Sequence, residues 1–98
     1  MTIKRLNEVM RNPKLYAQTK ALYGYLYVRA DHKRDIAYPP KNQILTELNI
    51  TDNLFTQGIA VLEKQGYIKV GTAEGTNHNT NEKYTYTTYT LLDTIEEG

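Results

Sequence analysis

Three polar side chains lie at helical spacing in one stretch of the sequence and can make specific hydrogen bonds. Asn53, Thr56 and Gln57 are three and four residues apart within the segment 51–63, so a helix presents them on one face. Asn and Gln amides can bond an adenine edge bidentately, and Thr can contact the thymine methyl group. The same segment contains no Lys or Arg. Two interpretations follow: readout of A·T-rich duplex without arginine, or a polar helix surface that binds nothing.

Residues suited to catalysis or metal binding are sparse. His32 and His78 are far apart in polar segments, with no acidic partner at ligand spacing, and the chain has no cysteine. No Gly-rich phosphate loop and no nucleophile motif occurs; Gly71 and Gly75 flank a predicted hairpin tip. We therefore expect no enzymatic activity, no metal site and no cofactor.

Positive charge is concentrated in the first half of the chain. Residues 1–41 contain nine Lys or Arg against three acids, which gives +6, whereas residues 42–98 contain three Lys against eight acids, which gives −5. This asymmetry indicates either a basic face or simply solvated helix surfaces. If the partner is a nucleic acid, phosphate contacts are expected from Lys33 and Arg34, from Lys41 with Asn42, and from Lys83.

The apolar spacing predicts the helices that must position these groups. Residues 1–13 favour a short amphipathic helix or an arm, which Pro13 ends. A helix is expected over about 15–31, and its buried stripe comprises Leu15, Leu22, Leu26 and Ala30, widened by Tyr23, Tyr27 and Val28. The segment "ADHKRDIAYPP" reads as a loop whose proline pair opens the next helix.

A second and a third helix are expected on either side of a tight turn. The second covers 41–48, and Asn49 suits a left-handed turn residue. Thr51 is a good N-cap for the third helix, whose dipole favours an acid at Asp52. Gly66 stands where a helix-ending glycine belongs.

The remaining sequence predicts a β-hairpin. One strand covers 67–70, a polar tip covers 71–83, and the returning strand covers 84–92. On the returning strand, alternation assigns Tyr89 with Leu91 to the core and leaves Tyr84 and Tyr86 partly exposed.

Length and composition bound the rest. The chain of 98 residues suits one domain, assigned to 14–93, with an arm or short helix at 1–13 and an acidic tail at 94–98. No run approaches the roughly 18 apolar residues of a membrane span, and no signal peptide is evident. We expect a cytoplasmic protein with no membrane partner, and the absence of cysteine agrees with a reducing compartment.

Four segments resemble the winged-helix domains at the N-termini of phage and plasmid replication proteins of Gram-positive bacteria, including DnaD-like replisome organisers and replication initiators. They are "AQTKALYGYLYVRAD" (17–31), "YPPKNQILTELNIT" (38–51), "LFTQGIAVLEKQGYI" (54–68) and "TTYTLLD" (87–93). The resemblance covers about 14–93 and implies an α+β, mainly α, winged helix-turn-helix fold: a three-helix core plus a β-hairpin wing. That family usually has basic residues early in its third helix, where this chain has Asp52, Asn53 and Gln57.

The resemblance implies a sequence-preferring double-stranded DNA-binding protein of a mobile element, acting in replication initiation or its transcriptional control. Few phosphate contacts would make one module weak, so a homodimer or higher oligomer is expected. The expected DNA-binding residues are Lys33, Arg34, Lys41, Asn42, Thr51, Asn53, Thr56, Gln57, Lys64 and Lys83.

A protein-interaction module is the alternative. Leu54, Gly58 and Val61 lie at spacings of four and three beside the core-facing side of the third helix, and Ala60 adjoins them. If exposed, Leu54 and Val61 would form an apolar patch for a second copy or for a host or element-encoded partner. Tyr84 and Tyr86 are expected to belong to the same interface or to stack on bases. Alternatively, Leu54 and Val61 pack beneath the first helix or the N-terminal arm.

Overall fold

The computed structural model describes residues 3–92, and it describes side chains from residue 5 onward. Within that range four helices and three antiparallel strands form an α+β fold, and about half of the residues are helical. The expected α+β class is therefore confirmed. The predicted tail at 94–98 lies outside the described residues. The elements are α1 (Ile3–Arg11), α2 (Ala17–Arg29), β1 (Ile36–Ala37), α3 (Lys41–Leu48), α4 (Asp52–Lys64), β2 (Ile68–Thr76) and β3 (Lys83–Leu91).

Helix α2 is the centre of the helical core. Leu22 and Leu26 have no exposed surface, and they lie four residues apart on one face. Gly58 of α4 packs against this face, because a Cβ there would lie only 3.0 Å from Cδ2 of Leu22. The prediction that Val28 widens the buried stripe is wrong: its side chain is 76% exposed. Val28 follows Leu26 by two residues, which turns it to the opposite side of the helix.

The connection between α3 and α4 follows the local predictions closely. Asn49 ends α3 in the left-handed region, with φ 54° and ψ 50°. The Thr51 hydroxyl accepts a hydrogen bond of 3.1 Å from the backbone N of Leu54, which caps α4. Gly66 follows α4 with φ 80°, a conformation that glycine adopts without strain. These three residues fix both ends of α4 and the direction in which it leaves α3.

The sheet has the order β1-β3-β2 and differs from the prediction at two places. Residues 36–37 were expected in a loop but form β1, pairing Ile36 with Thr90 and Ala37 with Tyr89. A two-residue strand has no periodicity of its own and depends on its partner. The polar tip predicted at 71–83 is also wrong, because β2 continues to Thr76 and the connection covers only 77–82.

The two faces of the hairpin have different roles, as predicted. Tyr89 and Leu91 face the core with 4% and 2% exposure, whereas Tyr84 lies on the other face and is 53% exposed. Tyr86 is half-buried on that outer face, and its ring centroid lies 6.1 Å from that of Tyr84 and 5.7 Å from that of Tyr38. We call Tyr38, Tyr86 and Tyr84 the aromatic row.

Helix α1 is attached to the domain by a buried arginine. The Arg5 side chain is 3% exposed; it donates to the carbonyls of Leu92 at 3.1 Å and Gly66 at 3.0 Å. Its guanidinium lies 4.4 Å from the centroid of the Tyr67 ring. Val9 of the same helix is fully buried. Residues 3–11 are thus a docked helix, and one of the nine basic residues of the first half has a structural role.

None of the helices in the described range is long and apolar enough to cross a membrane.

Candidate nucleic-acid interface

Helix α4 separates a buried face from a polar one. Phe55 and Leu62 point into the core with 7% and 0% exposure. Asn53, Thr56 and Gln57 are all exposed on the same helix. The predicted trio of polar side chains is therefore together on one accessible surface, at the N-terminal half of a helix held from behind by α2.

The N-terminus of α4 carries an ion pair that the sequence did not reveal. Nζ of Lys41, at the start of α3, lies 2.8 Å from Oδ2 of Asp52. The Thr56 hydroxyl donates to the other Asp52 oxygen at 3.3 Å. The hydrogen bond from Lys41 is the main reason that the pKa of the Asp52 carboxyl is lowered, against a smaller opposing effect of desolvation. Lys41 is thereby held beside the polar face of α4, but its charge is shared with an acid.

The apolar residues of α4 do not form a fully exposed patch. Leu54 and Val61 are both half-buried, and Val61 packs against the core. Gly58, which lies between them along the predicted stripe, is buried against α2. Ala60 is exposed, and Lys64 is exposed at the C-terminal end, about 18 Å from Asp52 along the helix axis. The apolar surface that this stripe of α4 exposes to solvent is therefore narrow.

The other predicted cations lie in two separate places. Lys33 and Arg34 are exposed in the turn that follows α2, where Nε of Arg34 lies 3.6 Å from Oδ2 of Asp31. Lys83 is exposed at the first position of β3, next to the hairpin tip. Asn42 is exposed one residue after Lys41. The structure therefore brings Lys41 to the α4 N-terminus, leaves Lys64 at the far end of α4, and places Lys33, Arg34 and Lys83 on the turn and the hairpin.

A groove of about 690 Å³ was not foreseen from the sequence. The aromatic row lines this groove together with three small hairpin residues, Ala73, Gly75 and Thr88. The rest of the lining includes Pro39, Pro40, Gln43, Arg29 and Arg34. Nη2 of Arg29 lies 2.6 Å from Oε1 of Glu47, and this contact raises the pKa of the guanidinium above its ordinary value. The sequence signal for this groove is Tyr38 directly before two prolines, a segment from which only the opening of a helix is predicted.

The histidines have ordinary surroundings. His32 is exposed with its ring 5.1 Å from that of Tyr27, and His78 is exposed at the hairpin tip. Among the described residues no group of three His, Asp or Glu side chains is arranged to hold a metal ion.

Comparison with known proteins adds no assignment: no family model and no curated protein matches the chain.

Proposed function

We propose that this chain is a winged helix-turn-helix domain that binds double-stranded DNA with a sequence preference, in the cytoplasm, for a mobile genetic element. Its role would be replication initiation or transcriptional control of that element, as the sequence resemblance implies. The observation that carries the proposal is the exposure of Asn53, Thr56 and Gln57 on a helix whose opposite face is fully packed. A recognition helix presents its N-terminal residues to base edges in this manner.

The order and connection of the elements support this assignment. Helices α2, α3 and α4 supply the three-helix core, with the left-handed Asn49 between α3 and α4. The β2–β3 hairpin follows α4 at once and extends nine residues on each strand, so it suits a wing that lies along the DNA backbone or minor groove.

In this proposal the residues divide into base readers and backbone contacts. Gln57 and Asn53 meet adenine edges, and the Thr56 methyl meets thymine while its hydroxyl stays bonded to Asp52. The proposed phosphate contacts come from Thr51, Lys41, Asn42 and Lys64 around α3 and α4, from Lys33 and Arg34 on the turn, and from Lys83 on the hairpin.

The charge of this surface predicts modest affinity for a single copy. Lys41 is paired with Asp52, and Lys64 is the first cation on α4, twelve residues further along. Affinity that depends on phosphate contacts scales with their number, so few contacts give a shallow dependence on salt. We therefore expect two or more copies to bind together at a functional site.

A matched pair of variants tests the division of roles. Fluorescence anisotropy is measured on an A·T-rich duplex and on the same duplex with G·C substitutions. Gln57→Ala should reduce the preference between the two, whereas Lys41→Ala should weaken both equally. Gln65→Ala, which removes another exposed glutamine near the end of α4, is the control and should change neither. Equal loss on both duplexes from Gln57→Ala would overturn the assignment of base readout.

A protein-interaction module remains the second candidate, favoured by the acid at the α4 N-terminus. In this reading Leu54, Ala60 and Val61 of α4, with Tyr84 and Tyr86, contact a second copy or a host or element-encoded protein. Val61→Glu should then abolish the association, with Gln65→Glu, directly after α4, as the control for added charge; because Val61 packs against the core, thermal unfolding checks that the variant is folded. Association that survives Val61→Glu intact argues that this stripe of α4 is not the interface.

A further inference from the structure

Strand β3 is unpaired along one edge for most of its length in the part of the chain that the structure describes. Strand β1 covers only Tyr89 and Thr90, and the backbone N of Leu91 donates to the Asp35 carbonyl at 2.7 Å just beyond it. After Ala37 the chain continues into Tyr38 and two prolines, which have no N–H to extend the pairing. Residues 83–87 therefore face no strand on this side.

The backbone groups at this edge can be assigned from the register. The Leu91 N–H points toward β1, and alternate residues of a strand point the same way, so Lys83, Thr85 and Thr87 direct their N–H and C=O groups outward. The intervening residues bond to β2, as shown by the Leu92 N–H on the Tyr67 carbonyl at 3.0 Å. Three residues thus present both a donor and an acceptor to solvent.

The sequence of this edge favours pairing with another strand. Residues 83–88 are Lys-Tyr-Thr-Tyr-Thr-Thr, rich in β-branched and aromatic residues, with no proline and an unbroken register; the one protecting charge, Lys83, stands at the first position. The outer edge of β2 is less suitable, because it carries Gly71, Gly75 and Glu74. The open edge of β3 is consequently the better template for strand addition.

The groove beside this edge has two arginines on its lining, and each already has an acidic partner within the chain. Among the described residues the lining includes Arg29 and Arg34 and no acid, while Glu47 lies 2.6 Å from Arg29 and Asp31 lies 3.6 Å from Arg34. Glu82 immediately precedes β3, and its carbonyl accepts from the Asn77 N–H at 2.8 Å, which continues the hairpin pairing by one step. Glu82 lies on the same face of the strand as Tyr84, Tyr86 and Thr88, so an antiparallel strand from another copy would add that acid to the face that lines the groove.

We propose that a second copy of this chain pairs its own β3 with this edge, antiparallel and about a two-fold axis, so that one sheet runs through both copies. When the register is centred on Thr85, that residue lies opposite Thr85 of the second copy. Lys83 then lies opposite the partner's Thr87. This register pairs all three outward-facing residues, and each pair exchanges two hydrogen bonds. It also sets no like charges directly opposite each other.

This register also gives the side chains on both sides of the two-fold axis compatible neighbours. Tyr84 comes opposite the partner's Tyr86, which joins the two aromatic rows into one cluster. Glu82 comes opposite the partner's Thr88, a residue that lines the groove with Arg29 and Arg34. The paired segments are short, so the dimer is of the weak, concentration-dependent class. It requires no DNA and is distinct from an association through α4.

Charge substitution at the symmetry position tests the proposal without DNA. Sedimentation or light scattering of the full chain at rising concentration should show a mass moving from 11.3 kDa toward twice that value. Thr85→Glu and Thr85→Lys each place like charges opposite each other, and each should raise the dimer dissociation constant by up to about fivefold. An equimolar mixture of the two variants should restore the dimer, because unlike charges then face each other.

Matched controls locate the edge and separate pairing from misfolding. Thr72→Glu and Thr72→Lys, at an exposed position of β2, should leave the dimer unchanged, and thermal unfolding monitors the fold of every variant. The proposal is overturned if the wild-type chain stays monomeric, if both Thr85 variants dimerise as tightly as the wild type, if their mixture dimerises no better than either variant alone, or if the Thr72 variants alone lose the dimer. None of these outcomes depends on whether the chain binds DNA.

Discussion

Replacing Asp52 by Asn should strengthen DNA binding, although it changes no proposed base contact. In the folded chain Asp52 holds the ammonium of Lys41 at 2.8 Å, and both side chains are well exposed. A phosphate that approaches Lys41 must compete with this carboxylate and is also repelled by it. The amide of Asn removes the competing charge while it keeps the size of the side chain and leaves the Thr51 cap in place.

The size of the effect follows from counterion release. One additional phosphate contact changes log K by about 0.9 per decade of salt. At about 0.1 M salt the affinity should therefore rise roughly eightfold, and the gain should shrink by roughly 3.5-fold between about 0.05 and 0.2 M. Because Lys41 lowers the pKa of Asp52, the carboxylate is lost only as pH falls through that lowered value. Between about pH 5 and 8, pH alone should not release Lys41.

Anisotropy titrations at several salt concentrations measure both quantities. Glu63→Gln is the matched control, since it removes an exposed acid from the other end of the same helix. It should alter the slope far less than Asp52→Asn does. In a Lys41→Ala background, Asp52→Asn should lose most of its effect. The reasoning is refuted if Asp52→Asn leaves the dissociation constant and the salt slope unchanged, or if Glu63→Gln produces the same gain.

Three predictions on stability follow from the ends of α4 and from the buried arginine, and chemical denaturation measures each. Arg5→Ala leaves the carbonyls of Leu92 and Gly66 without their donor and should cost about 3 kcal/mol; a loss below about 1 kcal/mol would contradict its structural role. Thr51→Ala removes the hydroxyl that accepts from the Leu54 N–H and should cost about 1 kcal/mol, while Thr51→Ser should cost little. Gly66→Ala meets no steric contact but keeps a φ of 80°, so about 1 kcal/mol of backbone strain is expected; an unchanged midpoint would show that the turn relaxes.

The features that the sequence predicted well are those governed by local chemistry. A left-handed Asn49, a capping Thr51 and a Gly66 with positive φ each depend on the conformational preferences of the residue itself. The alternation that buries Tyr89 and exposes Tyr84 is also local, because it follows from the period of a strand.

The features that were missed depend on residues distant in sequence. Strand β1 exists only because β3 returns beside it, some fifty residues later. Strand β2 continues through Gly75, where a Cβ would overlap the ring of Tyr84, so that glycine is covered by its cross-strand neighbour and does not mark a loop.

The candidate site shows the same limit. Asn53, Thr56 and Gln57 could be grouped by helical spacing alone, and all three are exposed. The pair between Lys41 and Asp52 joins the starts of two different helices, and the groove joins the 38–40 segment to the hairpin. The charge count groups Arg5 with the other basic residues of the first half, yet its partners Gly66 and Leu92 lie more than sixty residues away. Burial of a charged side chain of this kind follows from tertiary packing and has no local signal.

The most direct test of duplex recognition is a titration of the wild-type chain against A·T-rich and G·C-rich duplexes of equal length at two salt concentrations. We expect tighter binding to the A·T-rich duplex and an affinity for both that falls as salt rises. The absence of any salt-sensitive binding at micromolar protein would contradict the proposed function.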